Sequence, residues 1–421
     1  MVLEYAYFIP KFLGALGPYM LERLSQRIAA LIHKRTYVSP APGSNPKIVI
    51  VIGGSFTGIH LARQLSHTLP TGYRVVLIEK HSHLNYLFSF PRFSVVEGHE
   101  SKAFIPYPTN FPGAPEGVFA RVQDTAVSID QHTVTLASGE TLEYEFLALT
   151  TGCTLPPPAN VRATEKKDGC AELRAMQANI KGAKRVAVLG GGAVGVQLAS
   201  DIKSFYPEKE VVLVHSHQQL LGRFGAKLHE CALKALEELG VEVVLGKRPK
   251  VPKGGEEEKS VRLEDGEWSK EVDLVIPCTG QSPNSDLITS LSPSSISPTT
   301  HQVLVKPTLQ LADDAFPHIF ALGDVANTGG VKMARAGMAQ AEVARRNIVR
   351  LIKGVEGRRL ERYKPNWVEG ALKLSLGKDR NILYLQDGKW ELILKAKAHL
   401  PDMGIGRIWK YLGVKPGDWD L

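Results

Sequence analysis

A chain of 421 residues is long enough for two or three domains with substantial cores. With 43% hydrophobic and 22% charged residues, its composition is that of an ordinary globular protein and excludes a disordered or fibrous chain. The formal charge of +8 is uneven. Five basic against two acidic side chains leave residues 1–44 at +3, 27 against 31 leave 45–329 at −4, and 19 against 10 leave 330–421 at +9. Basic ends read either as attraction to an anionic surface, membrane or polynucleotide, or as a solvated face.

In residues 8–35, Leu21, Leu24, Ile28 and Leu31 recur at helical spacing, with Arg23, Arg27, Lys34 and Arg35 on or beyond the other side. Three readings fit: an interfacial amphipathic helix making peripheral membrane contact, a mitochondrial presequence, or a helix docked on the protein body. No apolar run reaches the roughly 18–20 residues of a bilayer span. A signal-peptide layout is not expected, and Val2 stands where N-myristoylation requires glycine. Residues 36–46 (TYVSPAPGSNP) read as a linker, so 1–45 are expected to be an amphipathic extension plus linker.

Residues 47–52 (KIVIVI) form a β-branched run of the kind buried in parallel sheets. The run ends in Gly53-Gly54-Ser55-Phe56-Thr57-Gly58, opens a helical pattern, and returns to a strand, 74–78 (RVVLI), that stops at Glu79. The same order recurs 137 residues later: 185–189 (RVAVL), then Gly190-Gly191-Gly192-Ala193-Val194-Gly195, a helix, and 210–214 (EVVLV) stopping at His215. Two strand–loop–helix–strand units predict two nucleotide-binding domains. A dinucleotide pyrophosphate needs backbone N–H groups and a helix N-terminus at close range, and glycine removes the side chain that would block it. Gly190, Gly192 and Gly195 satisfy the full pattern, whereas the first loop has Ser55 at its middle glycine. Glu79 supplies a carboxylate for an adenosine ribose and His215 does not. His215, Ser216, His217 and Arg223 are therefore candidates to approach a 2′-phosphate, and NADPH is expected to be accepted at least as well as NADH.

Segments 133–136 and 142–150 read as paired sheet segments around Ser138-Gly139, and 261–263 with 272–276 repeat this around Asp265-Gly266. Each connector closes on a Thr-Gly pair, Thr151-Gly152 and Thr279-Gly280. Residues 253–260 and 289–300 are polar loops. A strand at 319–322 then leads to Gly323-Asp324 and a helix over 333–351, where an acid facing a second helix N-terminus is placed to hold a sugar or ribityl hydroxyl. From 363 on, aromatic and β-branched segments predict a small C-terminal αβ unit.

Together the motifs VIVIGGSFTG, LALTTG, VAVLGGGAVG, VIPCTGQSPN and ALGDVA…KMARAG resemble the FAD-dependent pyridine nucleotide–disulfide oxidoreductase superfamily, in particular its apoptosis-inducing-factor-like branch with the ferroptosis suppressors. The resemblance implies an α/β fold with two Rossmann-like domains. FAD would occupy 46–152 plus 281–352, NAD(P)H 153–280, and a C-terminal unit 353–421. By resemblance, the first loop with Glu79 and Lys80 would hold the ADP half of FAD, Arg92 would contact the flavin, and Ala126-Val127 would lie along the adenine. Thr151, Gly152, Gly280 and Gly323 would also be cofactor-binding, Asp324 would hold the ribityl or pyrophosphate part, and Lys332-Met333 would flank the isoalloxazine. Lys332 is the candidate catalytic residue, acting by charge on the flavin. Family members often carry Glu where this chain has Gln197.

No two of Cys153, Cys170, Cys231 and Cys278 form a close pair, which argues against a dithiol centre or a zinc site. Cys153 and Cys278 are expected to be packing residues, the pair His81 and His83 no metal site, and Tyr86, Phe88, Phe90 and Phe93 core rather than a quinone platform. The expected activity is hydride transfer from NAD(P)H to flavin, with electrons passed to a small-molecule, quinone-like acceptor in an intracellular, cytoplasmic or mitochondrial, setting. Nucleic acid is not the expected partner. Two alternatives stay open: a redox-sensing interaction protein that binds membrane or polynucleotide through its basic ends, and a flavoenzyme of specialised metabolism.

Overall fold

Two parallel sheets, each opened by one of the glycine loops, organise the chain. The structure is a computed structural model that describes residues 2–41, 43–250, 260–397, 400–417 and 419. Of the polar loop expected at 253–260, residues 253–259 lie outside the described residues. The first sheet holds β1 (Lys47–Ile52), β2 (Tyr73–Ile78), β3 (Phe119–Val122) and β4 (Phe146–Leu149). The second holds β5 (Arg185–Leu189), β6 (Glu210–His215), β7 (Glu242–Leu245) and β8 (Leu274–Pro277) in the order β7-β6-β5-β8. The chain then returns to add β9 (Ile319–Ala321) beside β4, completing the order β9-β4-β1-β2-β3. All these pairings are parallel. Val49 to Val51 and Val186 to Val188 are fully buried, as expected of central strands covered on both faces.

One expectation is corrected in the same way in both halves. The segment 142–150 is two strands: Thr141–Glu143 joins an antiparallel three-stranded sheet, and Phe146–Leu149 enters the main sheet as β4. The segment 272–276 likewise splits between Trp268–Val272 and β8. Each break falls next to an acid. Glu145 donates its N–H to the Ile48 carbonyl at 2.8 Å and takes Lys47 on its carboxylate at 2.9 Å. Asp273 donates its N–H to the Arg185 carbonyl at 2.9 Å and takes the Arg185 guanidinium at 2.7 Å. The basic residue opening each first strand thus pins the point where the chain crosses between sheets.

The connectors between the halves run side by side. Cys153–Thr154 pairs antiparallel with Ser282–Pro283, and Asn284 ties the two by donating to the Thr151 carbonyl at 2.8 Å. The C-terminal sheet (Leu372–Ser375, Arg380–Asp387, Trp390–Lys397) packs Leu372, Leu374, Ile382 and Tyr384 against the second domain. Helix Gly406–Tyr411 instead buries Trp409 in the first domain, its Nε1–H bonded to the Lys102 carbonyl at 2.9 Å.

The N-terminal helix, Val2–Thr36, is longer than its periodicity suggested. Its docking stripe is Glu4, Phe8, Lys11, Glu22, Gln26 and His33, at the 3–4-residue spacing of one helical face. Phe8 is buried near Trp367, Tyr7 stacks on Trp390, and Glu4, Lys11 and Glu22 pair with Lys227, Asp387 and Arg346. The set singled out from the sequence is a different one: Leu21 (70%), Leu24 (55%), Ile28 (50%) and Leu31 (66%) are exposed.

Candidate functional site: two nucleotide loops on one cavity

The two glycine loops are near copies. A Cβ at Gly58 would stand 1.8 Å from the Gly53 carbonyl oxygen, and one at Gly195 would stand 1.9 Å from that of Gly190. The last glycine of each loop is therefore fixed by close packing of helix on turn, behind the ligand face. The middle position is different. Gly192 caps its helix, α-helix Ala193–Phe205, at φ −78, and a Cβ there meets nothing within 4 Å. Ser55 caps helix Phe56–Ser66 at φ −74 and its side chain makes no capping hydrogen bond. Neither position needs glycine for its backbone, so Ser55 leaves the loop geometry intact and its hydroxyl free to face a phosphate.

A continuous cavity of about 2780 Å³ joins the loops. That is well beyond the ~300–1,000 Å³ of a single small-ligand pocket and leaves room for two dinucleotides meeting end to end. Gly53, Ser55, Phe56, Thr57, Glu79, Lys80, Arg92, Ala126 and Val127 line one arm, and Gly190, Gly192 and His215 line the other. Thr151, Gly152, Gly280, Gly323, Asp324, Lys332 and Met333 lie between them. Gly54, Gly58 and Gly195 pack behind the walls.

At the end of β2, the Glu79 carboxylate is oriented on both oxygens. Oε2 accepts from the Gly54 N–H at 2.5 Å, and Oε1 accepts from the His81 N–H at 2.8 Å and meets Nδ1 of His81 at 2.6 Å. Burial raises this carboxyl, but the His81 contacts outweigh it and hold the group below its ordinary range. His81 thus serves Glu79. Tyr107, which the sequence reading missed, donates its hydroxyl to the Gly54 carbonyl at 3.1 Å beneath Arg121; it sits in an irregular segment with no periodic signal. A carboxylate fixed at the strand end, beside an open phosphate cradle, fits the adenosine half of FAD.

Where the arms meet, Asp324 follows β9 in a tight turn. The Gly323 N–H is held by the buried Gln340 Oε1 at 2.8 Å, and Gly337 leaves room for Thr57, whose hydroxyl a Cβ there would meet at 2.0 Å. Burial raises the Asp324 carboxyl and lowers the Lys332 ammonium, which donates to the Ala326 carbonyl. Cys153 donates to Asp324 Oδ2 at 3.6 Å, and burial pushes its thiol up to about 12; burial does the same to Cys278. Arg223 also acts electrostatically on Asp324, Lys332 and Cys153, while lining the same cavity as His215 and His217. Gln197, 8% exposed, lines the cavity and donates to Met403 Sδ at 3.8 Å.

Arg92 also has partners that its sequence context does not show. The residue is 1% exposed; Nε donates to Asp201 Oδ2 at 2.7 Å and Nη2 to the Gly377 carbonyl at 2.9 Å. The guanidinium therefore points from the first domain into the second and the C-terminal sheet, while the residue still borders the cavity. The aromatic cluster divides. Phe90 and Phe93 are fully buried, whereas Phe88 (49% exposed) and Tyr86 form an aromatic wall of the cavity with Phe56.

Comparison with known proteins agrees with this architecture. Residues 47–347 match the family model described as pyridine nucleotide-disulphide oxidoreductase. The chain is 36% identical over 398 residues to Fe-regulated protein 8 of Mycosarcoma maydis, covering 88% of this chain and 96% of the relative. It is 29% identical over 382 residues to ferroptosis suppressor protein 1 of Mus musculus, covering 87% and 96%. The sulfide:quinone oxidoreductase of Aquifex aeolicus shares the fold at a TM-score of 0.68 and 18% identity, covering 87% of this chain and 90% of that one. The chain belongs to the pyridine nucleotide–disulphide oxidoreductase family, as an FAD-dependent oxidoreductase that uses NAD(P)H.

Proposed function

We propose that this chain is an NAD(P)H:acceptor oxidoreductase with a quinone-like acceptor, and that electrons leave the flavin without passing through a protein dithiol. The observation that carries this is the junction of the two arms. It holds an acid, a lysine, an arginine and two thiols, but the thiols are kept protonated by burial and all four cysteines are free. FAD bound there supplies the capacity to take a hydride from a nicotinamide and release electrons to an acceptor. Glu79 and the first loop would anchor its adenosine half, and Asp324 would hold its central hydroxyls. Lys332 would set a positive charge beside the ring system, with Met333 against it. Tyr86, Phe88 and Phe56, their rings tilted or edge to face, offer an aromatic wall against which a planar acceptor can pack. A quinone is also named for the Aquifex aeolicus protein that shares this fold.

The deciding experiment is anaerobic reduction by NADH and by NADPH, followed by a panel of quinones, oxygen and dyes, read through the flavin absorbance. Bleaching by the nicotinamide and recovery on adding quinone are expected. Protein that is colourless and cannot be reconstituted with FAD would defeat the reading.

A specific observation favours peripheral membrane contact as well. The apolar side chains Leu13, Leu16, Leu21, Leu24, Ile28 and Leu31 are exposed along the N-terminal helix while a separate stripe docks it. An apolar ridge of this extent, with Arg27, Lys34 and Arg35 exposed beside it, is what an interfacial helix presents to a leaflet. No helix among the described residues is long and apolar enough to cross a membrane. In vesicle flotation, Leu24→Glu with Ile28→Glu is expected to abolish co-flotation and leave the flavin bound; unchanged flotation would refute the contact.

A further inference from the structure

Behind the cavity wall, between the Gly323-Asp324 turn and the loop that leads to Lys332, lies a buried polar cluster. Gln340 stands on the helix Ala334–Ile352, while Tyr363 and Glu369 follow that helix in the chain, and all three are buried. Gln340 Oε1 accepts the Gly323 N–H at 2.8 Å, which leaves the amide nitrogen to donate. It donates to Thr328 Oγ1 at 3.2 Å, an oxygen that the Gly330 N–H also approaches at 3.4 Å. The Gln340 amide bears on the Tyr363 hydroxyl oxygen as well, and that hydroxyl donates to Glu369 Oε2 at 2.5 Å. A Cβ at Gly330 would stand 2.8 Å from the Tyr363 hydroxyl, so the hydroxyl packs directly under the loop.

The direction of this chain is forced. A backbone N–H can only donate, so Gln340 turns its oxygen to Gly323 and its nitrogen to Thr328 and Tyr363. Tyr363 then points its O–H at Glu369, whose carboxyl oxygen accepts in either protonation state. Burial raises both groups, so the tyrosine stays a donor. An amide in the middle orients its neighbours without conducting protons, so the cluster is a brace rather than a relay. Its far end is held in place. The Glu369 N–H bonds the Asn366 carbonyl at 3.0 Å in the turn Trp367–Gly370, and Phe8 and Phe12 of the N-terminal helix both pack on Trp367 with centroids 5.4 Å away.

We propose that Gln340, Tyr363 and Glu369 are positioning residues for the flavin, with Glu369 anchoring a hydrogen-bond chain that sets both the Asp324 turn and the loop before Lys332. The proposal rests on reading Asp324 and Lys332 as flavin-side residues. One amide serves both: its oxygen holds the turn that presents Asp324, and its nitrogen holds Thr328 at the start of the loop that ends in Lys332. Gly323, Asp324, Gly330 and Lys332 line the cavity, and the three braces stand behind them. Without the anchor, the Tyr363 O–H has no fixed acceptor and the Gln340 amide loses its single orientation. The acid and the lysine then drift from the geometry in which they meet a bound ring system.

The test compares Glu369→Leu, Glu369→Gln and the double variant Tyr363→Phe with Glu369→Leu, each as the full, FAD-loaded chain. Glutamine keeps an acceptor oxygen for Tyr363 and leucine does not; the double variant removes both polar groups, so it folds without an orphaned hydroxyl. Release of FAD on dilution, followed by flavin fluorescence, should be about tenfold faster in Glu369→Leu and in the double variant, and within about twofold of the unaltered protein in Glu369→Gln. The midpoint potential of the bound flavin should fall in the first two and hold in the third, because a retreating Lys332 charge favours the reduced ring system less. A double variant that is folded by circular dichroism and has unchanged release and potential would overturn the proposal. So would Glu369→Gln as impaired as Glu369→Leu. Failure of the underlying reading looks different: Asp324→Ala and Lys332→Met would themselves leave release and potential unchanged, and the proposal would fall with it.

Discussion

Removing the Arg92 guanidinium, as in Arg92→Met, separates a flavin-contacting role from the interdomain role the structure gives it. Asp201 is fully buried, its Oδ2 meets Arg92 at 2.7 Å, and its Oδ1 has no hydrogen-bond partner. The carboxyl is already raised to about 6, by burial that outweighs Arg92. Without Arg92 an uncompensated charge stays inside the protein, and breaking a buried pair from one side costs about 3–5 kcal/mol. For a domain of this size the melting temperature should fall by roughly 10 °C at pH 7.5. The pH dependence has a definite sign. A carboxyl whose folded pKa lies above its unfolded value favours folding most when protonated, so stability declines as pH rises from the unfolded range of about 4 towards 6. Losing Arg92 raises the folded value further, so the defect should be smaller at pH 5.5 than at pH 7.5. Arg92→Met with Asp201→Leu should recover most of the loss, because an apolar pair of similar volume replaces the ions. Melting curves followed by intrinsic fluorescence, with flavin content read separately, decide the matter. A single variant with normal melting that has lost its flavin would refute the clamp, as would a double variant no better than the single.

Three further outcomes are expected. Gly195→Ala should prevent folding of the second domain or abolish nucleotide binding, since its methyl would meet the Gly190 carbonyl at 1.9 Å; Gly192→Ser should fold normally and weaken NAD(P)H binding by no more than about tenfold, and limited proteolysis with calorimetry distinguishes them. Asp324→Ala should lose FAD on purification; a yellow, stoichiometrically loaded variant would remove Asp324 from the flavin site. With Cys153 and Cys278 held at about 12, iodoacetamide at pH 7.5 should leave NADPH-dependent turnover unchanged, and alkylation should accelerate about tenfold per pH unit on the alkaline side; rapid alkylation of Cys153 at neutral pH would contradict its burial.

Periodicity and the two loops were enough to place β1, β2, β5 and β6, because runs such as 47–52 and 185–189 are apolar on both faces and only a covered parallel sheet accommodates them. What the sequence hid depended on tertiary contact. Nothing local marks Glu145 or Asp273 as the end of one strand and the start of another; each does so by bonding the opening residue of a strand about 90 to 100 positions away. Arg92 resembles a flavin ligand by its neighbours in the chain, yet Asp201 and Gly377 claim its guanidinium from two other parts of the fold. The N-terminal helix was visible, but its docking face was not. Phe8 and Tyr7 find Trp367 and Trp390 near the other end of the sequence, while the better-patterned leucines stay outside. Tyr107 gave no signal because it acts through one hydroxyl from an irregular segment.

The duplication separates what the fold needs from what the ligand needs. Positions that match between the halves are structural: the last glycine of each loop against its own first carbonyl, and an acid that anchors the crossing next to β4 and next to β8. Positions that differ face the cavity: Ser55 against Gly192, Glu79 against His215. Close packing tolerates little change at the first group, since an added methyl has nowhere to go. The second group borders open volume, so substitutions there act on what binds rather than on whether the chain folds. The same scaffold can therefore present a carboxylate at one strand end and an imidazole at the other without altering a strand. The two arms differ in the loop, at Ser55 against Gly192, and at the strand end, at Glu79 against His215, while the parallel strands that carry them stay alike.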